Sequence, residues 1–305
     1  MPKYLVGEII KRLREQRGMS QHDLAYKILD RGHLSKIENG KTMPSKQTLE
    51  VLLERLGYNP GLSLDFFLNN EEAEFQSIMD KLDDLLRKRE SDEADILITQ
   101  LEKNERFIKN NLNKQYLLYC KAGNAFYKNE GASKVLGLLT EAIKISIPRF
   151  KEEDIDKYFL TKIDISIINM FALVYGEEKQ LSKAINLLYR LKDNFDSRFM
   201  DNESKGRHYP MVIDSLTRYL SLSEKYKEAI ELCDIGIEFC ISTSHLRLLP
   251  SIVLKKAYSL YELGDNETCK ELLRQAHYAC EMYRQFENIE NIKSYIQERP
   301  DIAFF

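Results

Sequence analysis

The sequence predicts an all-α protein, and two observations lead to this prediction. The 305-residue chain has only 13 glycines and 7 prolines, whereas Leu, Ile, Glu and Lys are abundant, as in proteins with long helices and few turns. Apolar residues recur at helical spacing over most of the chain. At about 150 residues per domain, the length predicts two domains, or a small domain joined to an elongated one.

The N-terminal residues are predicted to form short helices joined by tight turns. Gly18 follows the first apolar stripe and provides a C-terminal stop, and Ser20 can cap the next helix with Asp23 in a capping-box position. Residues 39–40 (Asn-Gly) end a third helix, and residues 44–45 (Pro-Ser) open a fourth. Two short helices joined by a turn, with flanking helices, make a helix-turn-helix. The first three helices are predicted over residues 6–17, 21–29 and 32–38.

Charge is unevenly distributed along the chain. The 45 basic and 48 acidic residues give a formal net charge of -3. Residues 1–46 contain ten basic and five acidic side chains, so this segment carries +5 and the other 259 residues carry -8. A small basic segment beside an acidic remainder indicates a nucleic-acid-binding domain attached to a domain with another role.

Two stretches resemble the XRE or Cro/repressor class of helix-turn-helix, namely G-E-I-I-K-R-L-R-E-Q-R-G-M-S-Q-H-D-L-A (7–25) and H-L-S-K-I-E-N-G-K-T-M-P-S (33–45). The resemblance covers most of residues 5–57 and implies that the second helix of the motif lies in the major groove of double-stranded DNA. Residues 28–32 depart from the class because they lack its common small-residue turn. The alternative is a basic four-helix domain without a nucleic-acid role, or a motif used for protein contacts.

This resemblance also implies which side chains contact DNA. Arg31 and Lys36 could address guanine from the third helix, whereas Gln21 and other polar residues would contact phosphate or sugar and orient the protein without reading sequence. The base-reading candidates are Arg31, His33, Ser35 and Lys36. The backbone-contact candidates are Arg12, Arg17, Gln21, Asn39, Lys41, Thr42 and Ser45.

Residues 57–61, G-Y-N-P-G, are the densest cluster of turn formers and predict a domain boundary. The apolar segment that follows, residues 62–68, predicts a docked linker rather than a free tether. We therefore predict a helix-turn-helix domain with its linker over residues 1–68, called the head, and a second domain over residues 69–305, called the body.

The body shows a repeated pattern of five helical pairs. A small or apolar anchor lies early in the second helix of each pair, with small or apolar residues twelve and nine positions before it and four after it. The anchors are 41, 49, 45 and 40 residues apart, more than the roughly 34 of the tetratricopeptide repeats that the pairs resemble. Because each pair buries its faces only against its neighbours, we predict an α-solenoid with a concave groove. The anchors are Ala94, Val135, Ala184, Ala229 and Cys269.

The last 25 residues, 281–305, depart from the repeat and predict a C-terminal capping helix. The apolar tail at residues 302–305, I-A-F-F, is expected to be buried either within the chain or in a dimer interface. The predicted inner face of the capping helix consists of Met282, Phe286, Ile289, Ile292 and Ile296.

An XRE-like head followed by five degenerate tetratricopeptide-like repeats resembles the RRNPP family, the peptide-responsive quorum-sensing regulators of Gram-positive bacteria, and in particular its PlcR-like members. The resemblance implies a homodimeric transcription factor that reads a palindromic operator. It further implies that the repeats bind a short, linear, imported signalling peptide, which changes the DNA-binding state.

Candidate peptide contacts lie on the first helix of each pair, which lines the groove in such repeats. The family holds the peptide backbone with Asn side chains, which donate and accept at once, so Asn124 and Asn169 are the best candidates. Arg218, Lys121 or Lys255 could take the C-terminal carboxylate of the peptide. The alternative for each is a solvated polar residue on a helix face. The full set is Lys121, Asn124, Tyr127, Asn169, Met170, Asp214, Arg218, Lys255 and Tyr258.

Enzymes and metal proteins receive no support from the sequence. P-loop, zinc-protease and nucleophile-elbow motifs are absent, the five histidines lack metal spacing, and the five cysteines form no C-x-x-C pair. We therefore predict no enzyme activity, no metal and no cofactor. No apolar run approaches the roughly 18 residues of a membrane span and the N-terminus does not resemble a signal peptide, so we expect a cytoplasmic protein with no membrane partner.

The alternative function is a protein-interaction adaptor whose tetratricopeptide-like repeats act on a response-regulator partner. Residues 207–210, Arg-His-Tyr-Pro, are predicted to form a loop between repeats. That loop is a candidate contact for such a partner, beside the simpler interpretation of a connector.

Overall fold

A computed structural model describes residues 3–58, 70–198 and 202–304 of the chain. These residues form α-helices, short 3₁₀ segments and turns, and no β-strand occurs among them. The chain divides into two compact units. The first unit comprises Met1–Val174 and Arg198–Asp201, and the second comprises Tyr175–Ser197 and Asn202–Phe305.

The described part of the head, residues 3–58, contains four helices, and its local start and stop signals are those predicted from the sequence. Gly18 adopts a left-handed φ of 63° after the first helix, and Ser20 and Asp23 form the predicted capping box. The second helix ends four residues earlier than predicted, just before Lys27 takes a φ of 59°. The third helix begins one residue earlier, because Asp30 caps it. The helices are α1 (Lys3–Gln16), α2 (Gln21–Ala25), α3 (Arg31–Glu38) and α4 (Lys46–Arg55).

Close packing and a buried ion pair join the first three helices of the head. A Cβ atom at Gly7 of α1 would lie 2.0 Å from the carbonyl oxygen of Ile37 in α3, so only glycine permits this approach. Arg14 Nε donates to Glu38 Oε1 at 2.6 Å, and Gln21 Nε2 donates to Glu38 Oε2 at 2.8 Å. Glu38 therefore links α1, α2 and α3. The fully buried members of the apolar core are Ile10, Leu24, Leu34, Ile37, Leu52 and Leu56.

The rest of the first unit consists of the first part of the body. A short helix after the first pair and a 3₁₀ segment at Glu152–Lys157 were not predicted. The helices are α5 (Asn70–Lys88), α6 (Ser91–Glu102), α7 (Glu105–Lys109), α8 (Asn111–Tyr127), α9 (Ala132–Ser146) and α10 (Lys162–Glu177), of which α10 belongs to this unit as far as Val174.

The second unit consists of six helices, and neighbours from α11 to α16 pack against one another. Its helices are α11 (Leu181–Ser197), α12 (Asn202–Leu222), α13 (Tyr226–Ser242), α14 (Leu249–Glu262), α15 (Asn266–Met282) and α16 (Phe286–Gln297).

The structure confirms the repeat register. The five anchors lie on α6, α9, α11, α13 and α15 and all are buried. The residues twelve positions earlier lie on α5, α8, α10, α12 and α14 and are also buried. The turn between the two helices of each pair contains a residue with positive φ. These turn residues are Arg89, Asn129, Lys179, Glu224 and Gly264.

The predicted loop at residues 207–210 is wrong, because these residues lie inside α12. Proline usually interrupts a helix, but here the aromatic ring beside Pro210 is firmly packed. The Tyr209 ring lies 5.6 Å from that of Phe195 and 4.9 Å from that of Phe239, in the neighbouring helices α11 and α13. Tertiary packing thus outweighs the local signal.

The predicted capping helix is present as α16, but two of its five inward-facing residues were wrongly assigned. Ile289, Ile292 and Ile296 are buried, whereas Met282 is 82% exposed and Phe286 is 68% exposed. Met282 ends α15 and Phe286 begins α16, so both flank the turn rather than lie along the buried face.

The apolar tail packs within the chain. Ile302 is fully buried in the core formed by α14, α15 and α16, and Ala303 and Phe304 pack against that core. Phe305 lies outside the described residues, as does the predicted linker segment 62–68. The division at residue 68 therefore stays a prediction.

Candidate DNA interface and peptide site

The four base-reading candidates share one face of α3. Arg31, His33 and Lys36 are exposed and Ser35 is partly exposed, whereas Leu34, Ile37 and Glu38 are buried. The helical spacing of the buried residues turns the remaining positions outward. The solvent side of α3 therefore carries two cations, an imidazole and a hydroxyl.

Three of the backbone-contact candidates lie beside the C-terminal end of α3. Asn39 Nδ2 donates to the Ser35 carbonyl at 2.7 Å, and the backbone N–H groups of Lys41 and Thr42 donate to the Lys36 carbonyl at 2.8 and 3.4 Å. Since these bonds hold the backbone after α3, the exposed Lys41 side chain has a defined place near the recognition helix. Arg12 is exposed on α1.

The other three backbone-contact candidates have partners within the head. Gln21 donates to Glu38 as described above, and the Arg17 guanidinium lies 4.7 Å from the centre of the Tyr58 ring. The Ser45 hydroxyl accepts the N–H of Thr48 at 3.2 Å and caps α4. These three positions stay predictions, and a DNA contact there would add to an internal one or replace it.

Both asparagine candidates for the peptide site carry a buried oxygen without a donor. Asn124 on α8 is 2% exposed, and its Nδ2 donates to the Ser91 carbonyl at 2.9 Å and to Asp95 Oδ1 at 2.6 Å. Asn169 on α10 is 5% exposed. The Oδ1 atoms of both residues have no hydrogen-bond partner within the described part of the chain. Buried acceptors of this kind are uncommon, so each calls for an explanation.

The two asparagines lie on helices that are in contact. A Cβ atom at Gly123 of α8 would be 3.5 Å from Met170 Cε of α10, which is ordinary van der Waals contact. Met170, another peptide candidate, follows Asn169 and therefore packs against Gly123, the residue before Asn124.

All three candidate cations for a peptide carboxylate are already paired with carboxylates on neighbouring helices. Lys121 Nζ lies 2.8 Å from Glu102 Oε1 in the first unit. In the second unit, Lys255 Nζ lies 2.6 Å from Asp214 Oδ1, and an Arg218 nitrogen lies 3.0 Å from an oxygen of Glu177. Asp214, itself a peptide candidate, is thus the ion-pair partner of Lys255. A peptide carboxylate could bind one of these cations only by displacing its acidic partner.

The two tyrosine candidates have different surroundings. Tyr127 is exposed, and the Arg89 guanidinium lies 5.6 Å from the centre of its ring. The Tyr258 ring lies 4.2 Å from that of Tyr295 in the core of the second unit, and burial raises the pKa of Tyr258 to about 12. Tyr258 is therefore a packing residue, whereas Tyr127 presents its ring to solvent.

The sequence did not reveal how the head packs against the body inside the first unit. Gln47 of α4 exchanges hydrogen bonds with two asparagines at the start of α8, since its Nε2 donates to Asn113 Oδ1 at 2.5 Å and its Oε1 accepts from Asn110 Nδ2 at 3.1 Å. Lys162 at the start of α10 lies 2.7 Å from Glu54 of α4. Gln47 is the single amide side chain on α4, and its neighbours in the sequence do not identify its partners.

Neither a metal site nor a membrane span is found in the described part of the chain. Its His, Cys, Asp and Glu side chains form no group arranged to hold a metal ion. No described helix is both long enough and apolar enough to cross a membrane.

The head is a helix-turn-helix DNA-binding domain, since residues 10–62 match the model of the helix-turn-helix family described as HTH_3. No curated protein matches the chain in sequence.

Solved structures with the same fold cover nearly the whole chain. Bacillus thuringiensis PlcR in complex with the peptide PapR7 and DNA matches with a TM-score of 0.63 and 17% identity, over 94% of this chain and 98% of PlcR. The apo form of the competence regulator ComR from Streptococcus vestibularis matches with a TM-score of 0.54 and 17% identity, over 98% of this chain and 99% of ComR. The resemblance to the RRNPP family inferred from the sequence is thus confirmed at the level of the fold.

Proposed function

We propose that this protein is a quorum-sensing transcription regulator that reads a palindromic operator as a homodimer and responds to a short signalling peptide. The observation that carries the proposal is the fold shared with PlcR over 94% of the chain, because the PlcR structure holds both a peptide and DNA. In this proposal the regulator acts in the cytoplasm, and the peptide is imported.

The head supports the DNA part of this proposal. Arg31 and Lys36 on the exposed face of α3 would address guanine, and Lys41 and Arg12 would contact phosphates. Each protomer would place α3 in the major groove of one half-site. The half-sites are then separated by about one or a few helical turns.

The asparagines support the peptide part. An extended peptide presents backbone N–H groups, and these would satisfy the buried Oδ1 atoms of Asn124 and Asn169, which have no donor within the described chain. Within the unit that holds both asparagines, the peptide carboxylate would exchange with Glu102 at Lys121.

No observation favours the adaptor alternative. Its candidate contact was a loop at residues 207–210, and these residues are part of α12, with Tyr209 and Pro210 buried.

The proposal is tested by gel retardation of promoter DNA, with and without peptide extracted from culture medium. We expect specific retardation of a promoter fragment and a change in its affinity when the peptide fraction is added. Absence of specific retardation under both conditions would overturn the regulator proposal. Specific retardation that no peptide fraction alters would overturn the peptide part alone.

Replacing Asn169 with Ala is expected to abolish the peptide response and leave the fold intact. Removing an acceptor that has no donor in the free protein costs little stability, but the bound peptide loses a hydrogen bond. This weakens affinity by about tenfold, so the response is lost at peptide concentrations near the wild-type Kd. Isothermal titration calorimetry with the active peptide measures this, and Asn186→Ala, an exposed asparagine on α11, is the matched control. Unchanged peptide affinity in Asn169→Ala removes this residue from the site.

A further inference from the structure

The helix before the recognition helix depends on another part of the head for its C-terminal hydrogen bonds. Because α2 has only five residues, its last carbonyl groups have few partners within the helix. The Ala25 carbonyl accepts the N–H groups of Ile28 and Leu29. Three neighbouring carbonyls, those of Asp23, Leu24 and Tyr26, instead accept from a side chain of α4.

That side chain is Arg55, at the end of α4. Its Nη1 lies 3.4 Å from the Asp23 oxygen, 3.1 Å from the Leu24 oxygen and 2.7 Å from the Tyr26 oxygen. A guanidinium is planar and rigid, so one that bonds several carbonyls fixes their relative positions. Its positive charge also complements the negative end of the α2 dipole.

Arg55 is itself held firmly in place. It is 7% exposed, and burial lowers its pKa while Asp164 of α10 acts in the opposite direction. Glu54, the preceding residue, forms the ion pair with Lys162 at the start of α10. The end of α4 is therefore anchored to the body, and its guanidinium is directed at α2.

The turn that follows α2 determines how α3 is presented. Tyr26, whose carbonyl has the shortest of the three bonds, is followed by Lys27 in the left-handed conformation. Only residues 28–30 then remain before α3 begins. Since base reading requires side chains to be placed within about 0.5 Å, a small movement of this turn would misplace the whole exposed face of α3.

We propose that Arg55 is a positioning residue for sequence reading by the head. It contacts no DNA itself and holds the turn between α2 and α3, and so the recognition helix, in the orientation that fits the major groove. Arg55 thereby affects discrimination between operator and other DNA, whereas the phosphate contact made by Arg12 on α1 does not depend on it. The inference rests on the proposed DNA binding.

The test compares wild type, Arg55→Met and Arg55→Lys in the full-length protein. Kd is measured by fluorescence anisotropy for the retarded promoter fragment and for a random duplex of equal length, at one salt concentration. We expect Arg55→Met to weaken operator binding about tenfold, the size of one lost base contact, and to change random-duplex binding less than about twofold, because phosphate contacts supply nonspecific affinity. Arg55→Lys, which retains one ammonium donor group, should weaken operator binding about threefold.

Lys46→Met is the matched control, because Lys46 is a buried cation at the other end of α4 and pairs with Glu50. We expect it to leave the ratio of operator to random-duplex affinity unchanged. Thermal unfolding followed by circular dichroism gives a temperature at which every variant is folded. If Arg55→Met does not fold, Arg55→Lys alone tests the role of Arg55. An unchanged ratio, or an equal loss on both duplexes by folded protein, overturns the role of Arg55. Failure of wild type to distinguish the duplexes would instead overturn the proposed DNA function.

Discussion

Lys36 and Lys41 lie five positions apart, and the structure gives them different surroundings. Lys36 is on the exposed face of α3 with Arg31 and His33, whereas Lys41 follows α3 in the turn that is bonded to the Lys36 carbonyl. A cation on the recognition helix can reach base edges, and one in the turn after the helix is placed for a phosphate.

Lys36→Ala and Lys41→Ala should therefore weaken DNA binding in different ways. Lys36→Ala is expected to reduce operator affinity by about tenfold more than random-DNA affinity. Lys41→Ala is expected to weaken binding to all sequences alike and to reduce the salt slope by about one per protomer. Anisotropy titrations on both duplexes at several salt concentrations measure these effects. If both variants act equally on random DNA, the assumed placement of α3 in the groove is wrong.

The contacts of a single residue could be predicted when its partner is close in the sequence, but not when the partner lies on a distant helix. Ser20 and Asp23 are three residues apart, so their capping box was readable in the sequence. The acids that pair with Lys121, Arg218 and Lys255 lie 19, 41 and 41 positions away on other helices. Nothing in the neighbouring residues identifies such partners, so the sequence could name the cations but could not show that they are already paired.

The contact between α4 and the start of α10 shows how burial and charge combine at the scale of an element. The Glu54 side chain is 12% exposed, and Lys162 is its ion-pair partner. Burial raises the pKa of Glu54, and the Lys162 ammonium opposes this rise without cancelling it. The ion pair therefore joins α4 to α10, although burial favours the protonated form of Glu54.

Replacing Lys162 with Met should destabilise the protein at pH 7 by about 1–3 kcal/mol, because the Glu54 carboxylate stays buried without its cation. The loss also raises the folded-state pKa of Glu54 further. The folded variant then takes up its proton at a higher pH than the unfolded chain, so its stability recovers as pH falls towards the unfolded value of about 4.3.

Urea unfolding at about pH 7 and pH 5 measures this recovery. Lys157→Met, which breaks an exposed pair with Asp154, is the control and should leave the stability unchanged at either pH, because exposed pairs contribute little. A difference between Lys162→Met and wild type that widens on acidification would contradict the assignment.

Elements were predictable where helical periodicity and caps agree, as in α3 and the five pairs. They were not predictable where tertiary packing outweighs a local signal. Residues 207–210, which end in Pro210, are predicted to form a loop, but the Tyr209 ring is packed between two aromatic neighbours and α12 continues through them. Met282 and Phe286 fit the helical period of the capping helix, yet periodicity does not show that α15 ends and α16 begins between them.

For the whole molecule, charge separates the surface that can bind DNA from the rest. Residues 1–46 carry +5 and the remaining residues carry -8, so the acidic body discourages nonspecific wrapping of DNA. DNA contact should therefore be confined to the head.

The salt dependence of operator binding tests this picture for the intact protein. If each protomer neutralises two or three phosphates, from Arg12, Lys41 and Arg17, a dimer should give a slope of log K against log salt of about -4 to -5. Titrations between about 50 and 200 mM KCl measure it, and sedimentation of the complex checks that two protomers are bound. A slope near -2 with one protomer bound would contradict dimeric recognition.

The left-handed residues in the turns between paired helices have a consequence for engineering. Only the last of the five, Gly264, is a glycine, whereas Arg89, Asn129, Lys179 and Glu224 hold the same backbone region with a side chain present. A side chain in this backbone region costs about 1–2 kcal/mol of strain. This exceeds the roughly 0.5–1 kcal/mol by which the flexibility of glycine in the unfolded chain lowers stability. Glycine at these turn positions should therefore raise the thermal stability of the protein. Glu224→Gly is one such change, and it alters no residue assigned to DNA or peptide.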